Sequence, residues 1–557
     1  KVERGVINMK KKIILLLCMA MLLAACCVGC GKNDKIKFSD VTMKKYVLKE
    51  LGKKPDEDVT YKEAEQLKSL TIDRTYRNFV TVMSNVSMQS ASGSANGVIS
   101  MDLSDLKYFT GLESLEIDNS SDDNFIGWES IEKCTNLQEL KMNYYEDSYY
   151  MPLGEKPILG FVDKLKNLKR LDCMYGNVTQ ATMNKIKAMR PDVEVNVVKE
   201  YIPTSLSMTL TKDTIKPNLN VIDVQNDKAQ PDDTLLIEGV NKPEDYRKII
   251  DNASATNIKY IYIKIRRGQA DSVAVDCKDF TKFTNLETLS ITETTVTTDG
   301  KVENIKELSK LPYLTTFCIN GNYNPDEICE LKHVDTLSIS GAKQDVDLSR
   351  MKNLKKVSVN VKDNNVKLPS GVEVLRTADS KLANQVSDLK IMCDYGAEDC
   401  TLSYLKNCQK LKYFYWSTNK VTDVDLSPVK NLPELEYLSV RHNKITTGFE
   451  TLSDIKNLRV VQIKYVVPSE MSKLKDLKSK DSLSFFGFLD TDGQYPVRDY
   501  QEALGISGKV TYLSIYYNVP GMIDLYKSGV TNTEIMQGEN TYLRDTYGFD
   551  ETFGTIR

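Results

Sequence analysis

The chain has 557 residues, with 74 basic against 77 acidic side chains and a net charge of −3, so no global electrostatic pull draws it to nucleic acid or anionic lipid. Its hydrophobic content of 41% is enough for a packed interior, and the length alone would suggest about three or four globular domains. Of twelve cysteines, four (Cys18, Cys26, Cys27, Cys30) fall in the first thirty residues, and the other eight include no Cys-x-x-Cys pair, which argues against a zinc or thioredoxin-type site.

From Met9 the chain reads Lys10-Lys11-Lys12 and then an apolar run from Ile13 to Ala25. A basic start, an apolar core and small residues after it make a secretory signal peptide over 1–30, too short for a membrane span of about 20 apolar residues. Residues Lys1 to Asn8 are expected to lie ahead of the true start, Met9. The run ends on Leu23-Ala24-Ala25-Cys26, which resembles the lipobox of bacterial lipoproteins. That resemblance implies a diacylglycerol on the thiol of Cys26, with Cys30 as the alternative. It also implies a cell-membrane, lipid-anchored protein on the extracellular face, where dual acylation gives stable attachment.

Residues 31–85 read as a tether and a helical cap. Thr42 to Leu51 places Met43, Val47 and Leu51 at helical spacing. Lys53-Lys54-Pro55-Asp56 breaks that helix, and Thr60-Tyr61-Lys62-Glu63 has the form of a capping box opening a second one to about Leu67. Leu70-Thr71-Ile72 follows as a first strand, and 90–97 is a loop of small residues. Helix, break and helix, from Leu51-Gly52-Lys53-Lys54 through Thr60 to Leu70, resemble the N-terminal cap of internalin-type bacterial proteins. Such a cap would cover the apolar end of a repeat stack.

Ten units with apolar residues at −3, 0, +3 and +5 then recur. Their zero positions are Leu112, Leu137, Leu168, Leu286, Leu314, Val334, Leu354, Leu411, Leu435 and Leu458. Asn recurs at −1 in five of them (Asn136, Asn167, Asn285, Asn353, Asn457), a position not used to find the units. This apolar-x-x-apolar-x-apolar pattern resembles a leucine-rich repeat, each copy supplying one short strand and a return segment. A trailing Asn at +8, expected to bond turn backbone, occurs at Asn322, Asn419 and Asn443. The implied fold is α/β: a leucine-rich repeat solenoid with a curved parallel sheet and an irregular or helical convex side. Two repeat blocks, 86–198 and 241–481, flank an inter-block segment at 199–240, and 482–557 reads as a degenerate repeat and C-terminal cap. Glu244 to Asp251 suggests a helix, Ile258 to Ile263 and Val510 to Ile515 degenerate repeat strands, and Val497 to Leu504 a last helix. Val372 and Val386 are the best strand positions where the pattern weakens.

Chemistry-bearing constellations are sparse. The only histidines, His333 and His442, fall beside repeat strands without an orienting partner. No nucleophile elbow, phosphate loop or His-Glu-x-x-His signature occurs. Asp490-Thr491-Asp492-Gly493 lacks the remaining oxygens of a calcium loop. The chain is therefore expected to be non-catalytic, with no cofactor or metal. Cys134 and Cys408 fill the buried −3 slot and Cys173 the +5 slot, while a disulfide among Cys393, Cys400 and Cys408 is possible outside the cell. Side chains at +2, +4 and +6 face the concave side. Between Leu286 and Asn360 they are mostly small and polar. Farther on they are Tyr413, Tyr415 and Tyr437, with Arg441 beside them, and Tyr260 and Tyr262 repeat the theme. This composition suits a protein ligand, or stacking on a cell-wall glycan; nucleic acid is not expected.

Overall fold

The computed structural model describes residues 34–72, 100–119, 124–144, 155–174, 180–198, 221–222, 234–238, 243–265, 274–293, 301–361, 364–395, 401–417, 423–458, 460–466, 483–486, 510–516 and 533–536. The leader with Cys26 and Cys30, the loop 90–97, the helix expected at Val497 to Leu504 and the Asp490 turn lie outside these residues. Among the described residues no helix is long and apolar enough to cross a membrane.

The cap forms as its sequence dictates. Asp40 caps α1 (Val41–Glu50) by accepting hydrogen bonds from the amides of Thr42 and Met43, at 2.7 and 3.1 Å. Met43, Tyr46 and Val47 on one face of α1 are fully buried. The capping box at Thr60 and Glu63 is made in both directions and opens α2 (Tyr61–Gln66).

Two parallel sheets follow, and they are separate. The first holds β1 (Ser69–Ile72), β2 (Ser114–Asn119), β3 (Glu139–Tyr144), β4 (Arg170–Met174) and β5 (Glu194–Val198). On its outer side lie short segments, including the Ser100–Asp102 and Asn124–Ile126 pair, α3 (Glu155–Lys164) and α4 (Gln180–Met189).

The second sheet has 16 strands. It begins with β6 (Val221–Ile222), antiparallel to β7 (Thr234–Glu238), both inside the stretch read from the sequence as inter-block. After α5 (Pro243–Asn252) come β8 (Tyr260–Ile265), β9 (Thr288–Glu293), β10 (Thr316–Asn320), β11 (Thr336–Ser340) and β12 (Lys356–Asn360). Then follow β13 (Val374–Thr377), β14 (Ile391–Tyr395), β15 (Tyr413–Ser417), β16 (Tyr437–Thr447), β17 (Val460–Val466), β18 (Leu483–Phe486), β19 (Val510–Tyr516) and β20 (Thr533–Met536). The short Asp423–Asp425 strand pairs with β16 off this path.

All ten repeat units form strands that start two residues past their zero position. Val372 obeys the same rule with β13, but Val386 does not. Leu389 is the zero residue ahead of β14, and Val386 ends a 3-10 helix as the buried −3 residue of that unit. From β9 to β13 each strand pairs with the next in the same register, so the +3 residues Leu289, Phe317, Leu337, Val357 and Leu375 form one buried ladder. Opposite the strands the chain returns through short 3-10 helices, several capped by an Asp or Asn accepting from the amide two residues on: Asp276, Asn324 and Asp379. Where Gly127 takes this place, at φ 76°, a Cβ would lie 2.7 Å from Asp102 Oδ1 of the preceding repeat, so stacking demands glycine.

The asparagines at −1 turn out to be brackets. Asn136, Asn167, Asn285, Asn353 and Asn457 each donate from Nδ2 to a backbone carbonyl of the preceding repeat, at 2.7 to 3.2 Å. The side-chain-to-backbone ladder expected at +8 is therefore seen at −1. Asn419 and the side chain of Asn443 lie outside the described residues, and Asn322 sits in a short outer strand instead.

Candidate functional site

The concave face of the second sheet is occupied by the first block. Asp40 is the pivot: its Oδ1 caps α1 and also accepts from Lys356 Nζ at 3.1 Å, while its Oδ2 accepts from the Asp102 amide at 3.0 Å. Lys356 takes the +2 slot of its repeat, points out of the second core, and is only 2% exposed. Burial lowers its pKa, and the carboxylate of Asp40 works against that shift. Lys390 donates to the carbonyl of Ser39 at 3.2 Å and lies 3.1 Å from Glu373 and 3.7 Å from Asp102. Burial pulls its pKa down, but Glu373 and Asp102 outweigh burial and leave it raised. A reverse pairing completes the polar end: Lys45 of α1 reaches Asp335 at 2.7 Å and the hydroxyl of Thr316 at 3.2 Å.

Behind this node sits Asp105, fully buried, whose Oδ2 accepts from the amides of Ser39 and Asp40 at 2.7 and 3.2 Å. Burial pushes its pKa up to about 6 against the pull of the Ser39 amide, and the neighbouring Asp102 adds to the rise. Two carboxylates, Asp40 of the cap and Asp102 of the first block, thus meet Lys356 and Lys390 of the second, with Asp105 holding the Ser39–Asp40 backbone behind them.

The tyrosines picked out in the sequence do leave the second core, as the +2 and +4 register requires, yet they are not exposed. Tyr413, Tyr415 and Tyr437 retain 3%, 7% and 5% of their surface. They form a separate apolar cluster with Val374, Ile391, Cys393 and Ile126, the last contributed by the first block. The rings of Tyr413 and Tyr437, partners in register, stack 4.0 Å apart at 7°. Tyr260 and Tyr262 are likewise buried and join the first block's core. The exposure expected from the sequence fails because the outward face of this sheet meets the outer side of another block, not water. The backbone of Arg441 lies in β16, paired with Ser417, and its side chain lies outside the described residues.

The small polar row is covered as well: Thr288, Ser290, Thr316, Ser338 and Ser358 are all buried. Sequence reading missed Lys356, Asp40, Lys45, Asp335 and Lys390. One signal was present: Lys356 is the charged residue at +2 among seven second-block units that otherwise carry Thr, Tyr or Val there.

Other groups behave structurally. Cys134 and Cys408 fill core positions, and burial pushes their thiols up to about 12 and about 11, so neither is a ready nucleophile. Cys393 and Cys408 are buried on opposite sides of the sheet, in different clusters; Cys400 and the side chain of Cys173 lie outside the described residues. Among the described residues no group of three His, Cys, Asp or Glu could hold a metal ion. His333 is exposed at the −1 position of its repeat.

One strand per apolar-x-x-apolar-x-apolar copy, paired in parallel with the strand of the next copy and with 3-10 returns opposite, decides the class. The chain is a leucine-rich repeat solenoid protein. No family model matches the sequence, and no curated protein matches it. Among solved structures it is similar to an internalin of Listeria monocytogenes, at 14% identity over 80% of this chain and 96% of that one, with a TM-score of 0.22. It is also similar to a leucine-rich repeat protein of Leptospira interrogans, at 15% identity over 74% of this chain and 99% of that one, TM-score 0.32. A third is the leucine-rich repeat ectodomain of an Arabidopsis thaliana receptor kinase, at 11% identity over 79% of this chain and 51% of that one, TM-score 0.28. The assignment rests on the chain's own register rather than on these superpositions.

Proposed function

We propose that the leucine-rich repeat chain is a non-catalytic protein-binding module, held at the outer face of a bacterial membrane by a lipid on Cys26. The observation that carries the reading is the chemistry of the concave face. It engages a folded protein surface, its own cap and first block, through tyrosines, a residue type enriched at protein interfaces, and through lysine–carboxylate pairs whose complementary charges fix the register. A cell-wall glycan would need open aromatic platforms, and the three candidate rings are at most 7% exposed. The anchor follows from the Leu23-Ala24-Ala25-Cys26 stretch.

Immobilised chain, expressed from Gly31 onward, should retain a saturable ligand from cell-surface extract. Protease treatment of the extract should abolish capture; a ligand that resists protease and is lost on glycan hydrolysis would reverse the reading. Metabolic labelling with a palmitate analogue should mark the wild-type chain and fail on Cys26→Ala. Label lost only from Cys30→Ala would move the anchor to Cys30.

A further inference from the structure

The surface between the blocks joins two units that are each already built. The first sheet, β1–β5, and the second, β6–β20, each complete their hydrogen-bond ladders without a strand from the other. Each has its own apolar core, the two touching at Tyr260 and Tyr262. What passes between them is side chains, and these are matched in order along the face. Lys45 meets Asp335 and Asp40 meets Lys356 on successive repeats, Asp102 meets Lys390 farther on, and Ile126 enters the tyrosine cluster beyond. The charges complement in both directions, with a lysine donated by each block.

Covalently, the blocks are joined through residues 199–220, between Val198 of β5 and Val221 of β6. At about 3.3 Å per residue such a length of chain reaches up to roughly 75 Å. A contact between two independently cored units on a connector of that length makes the same bonds within one chain or between two. The choice is set by effective concentration rather than by the contact itself.

We propose that this surface is exchangeable: the concave face of the second block accepts the first block of a second copy of the chain as it does its own. The inference rests on the reading of that face as a protein-recognition surface and narrows it to one occupant of known sequence.

Two full chains from Gly31 onward test it, one carrying Lys45→Glu and one Asp335→Lys. Each alone sets like charges against each other across the interface. Mixed, they relieve both clashes only by exchanging first blocks, because each second block then meets a first block of opposite charge. Size exclusion with light scattering should show monomer for each variant alone and a one-to-one dimer for the equimolar mixture, at least tenfold above either alone. The chain carrying both substitutions should return to monomer. A mixture that stays monomeric, with both variants showing wild-type circular dichroism and melting, overturns the proposal. Should either variant fail to fold, the wild-type chain decides. Held concentrated in mild denaturant and then diluted, it should yield a dimer that reverts slowly, and monomer alone overturns exchange. Capture of the protease-sensitive ligand is measured on the same wild-type preparation, so exchange can fail while the binding reading stands.

Discussion

The two ends of one concave face are buried by the same block and held by different physics. At one end, around β10 to β12, charges and hydroxyls meet: Lys45 with Asp335 and Thr316, Lys356 with Asp40. At the other, around β13 to β16, Ile126 meets Val374, Ile391, Cys393 and three tyrosines. A buried ion pair contributes little net stability, because desolvation consumes most of the Coulomb gain, yet breaking it by removing one partner is costly. Apolar burial is tolerant of small misalignment and supplies the driving force. The polar end therefore fixes which residues face each other, and the aromatic end supplies much of the adhesion.

That division can be broken most sharply at Asp40. Asp40→Ala deletes the cap of α1 and strands Lys356 without its carboxylate, and should cost about 4 kcal/mol. The two tryptophans allow the loss to be placed, since Trp128 belongs to the first block and Trp416 to the second. In urea titrations of single-tryptophan variants, the Trp128 transition should fall most. At the aromatic end, Tyr437→Ala removes half of the stacked pair and should cost about 3 kcal/mol, read from the Trp416 transition. A negligible loss for Asp40→Ala would mean that Lys356 is not left as a buried unpaired charge, and a negligible loss for Tyr437→Ala would mean that the aromatic end does not supply adhesion.

A third prediction sharpens the polar end through pH. The folded-state pKa of Asp105, about 6, lies above its unfolded value of 3.8, so folding favours its protonated form. Its contribution is therefore fully present below about pH 4 and is lost as pH rises through 6. Asp105→Asn keeps an acceptor for the Ser39 amide and removes the titration. Melting temperature should vary less between pH 4 and 7 in this variant, and at pH 7.5 it should be more stable by about 1–2 kcal/mol. An unchanged pH profile would remove Asp105 from the account. The smallest effect belongs to an exposed pair far from the face: Lys68→Ala, which frees Glu113, should change stability by about 0.3 kcal/mol or less.

How much of this was legible follows from sequence separation. Strand positions were readable because the apolar period is local, and every zero residue from Leu112 to Leu458 leads into its strand. The misplaced Val386 shows the limit: between Leu382 and Leu389 several apolar residues satisfy parts of the pattern, and only the neighbouring strand's register chooses among them. The asparagines at −1 were visible as a recurrence, while their bracketing role needed the previous repeat's carbonyl. Docking of the blocks was not readable. Lys45 and Thr316 are 271 residues apart, and Lys390 and Ser39 are 351 apart; no periodicity records such a contact. The outward direction of Tyr413, Tyr415 and Tyr437 followed from strand geometry, whereas their burial depends on Ile126, a residue in a short outer strand of another block.

The most direct measurement uses Cys393, buried in the tyrosine cluster, with Cys134 and Cys408 as cysteines inside the two cores. Under native conditions, a thiol reagent followed by peptide mass spectrometry should find Cys393 of the wild-type chain as protected as Cys134 and Cys408. Rapid labelling of Cys393 while the two core thiols stay protected would mean that the concave face is open, contradicting its occupation by the first block.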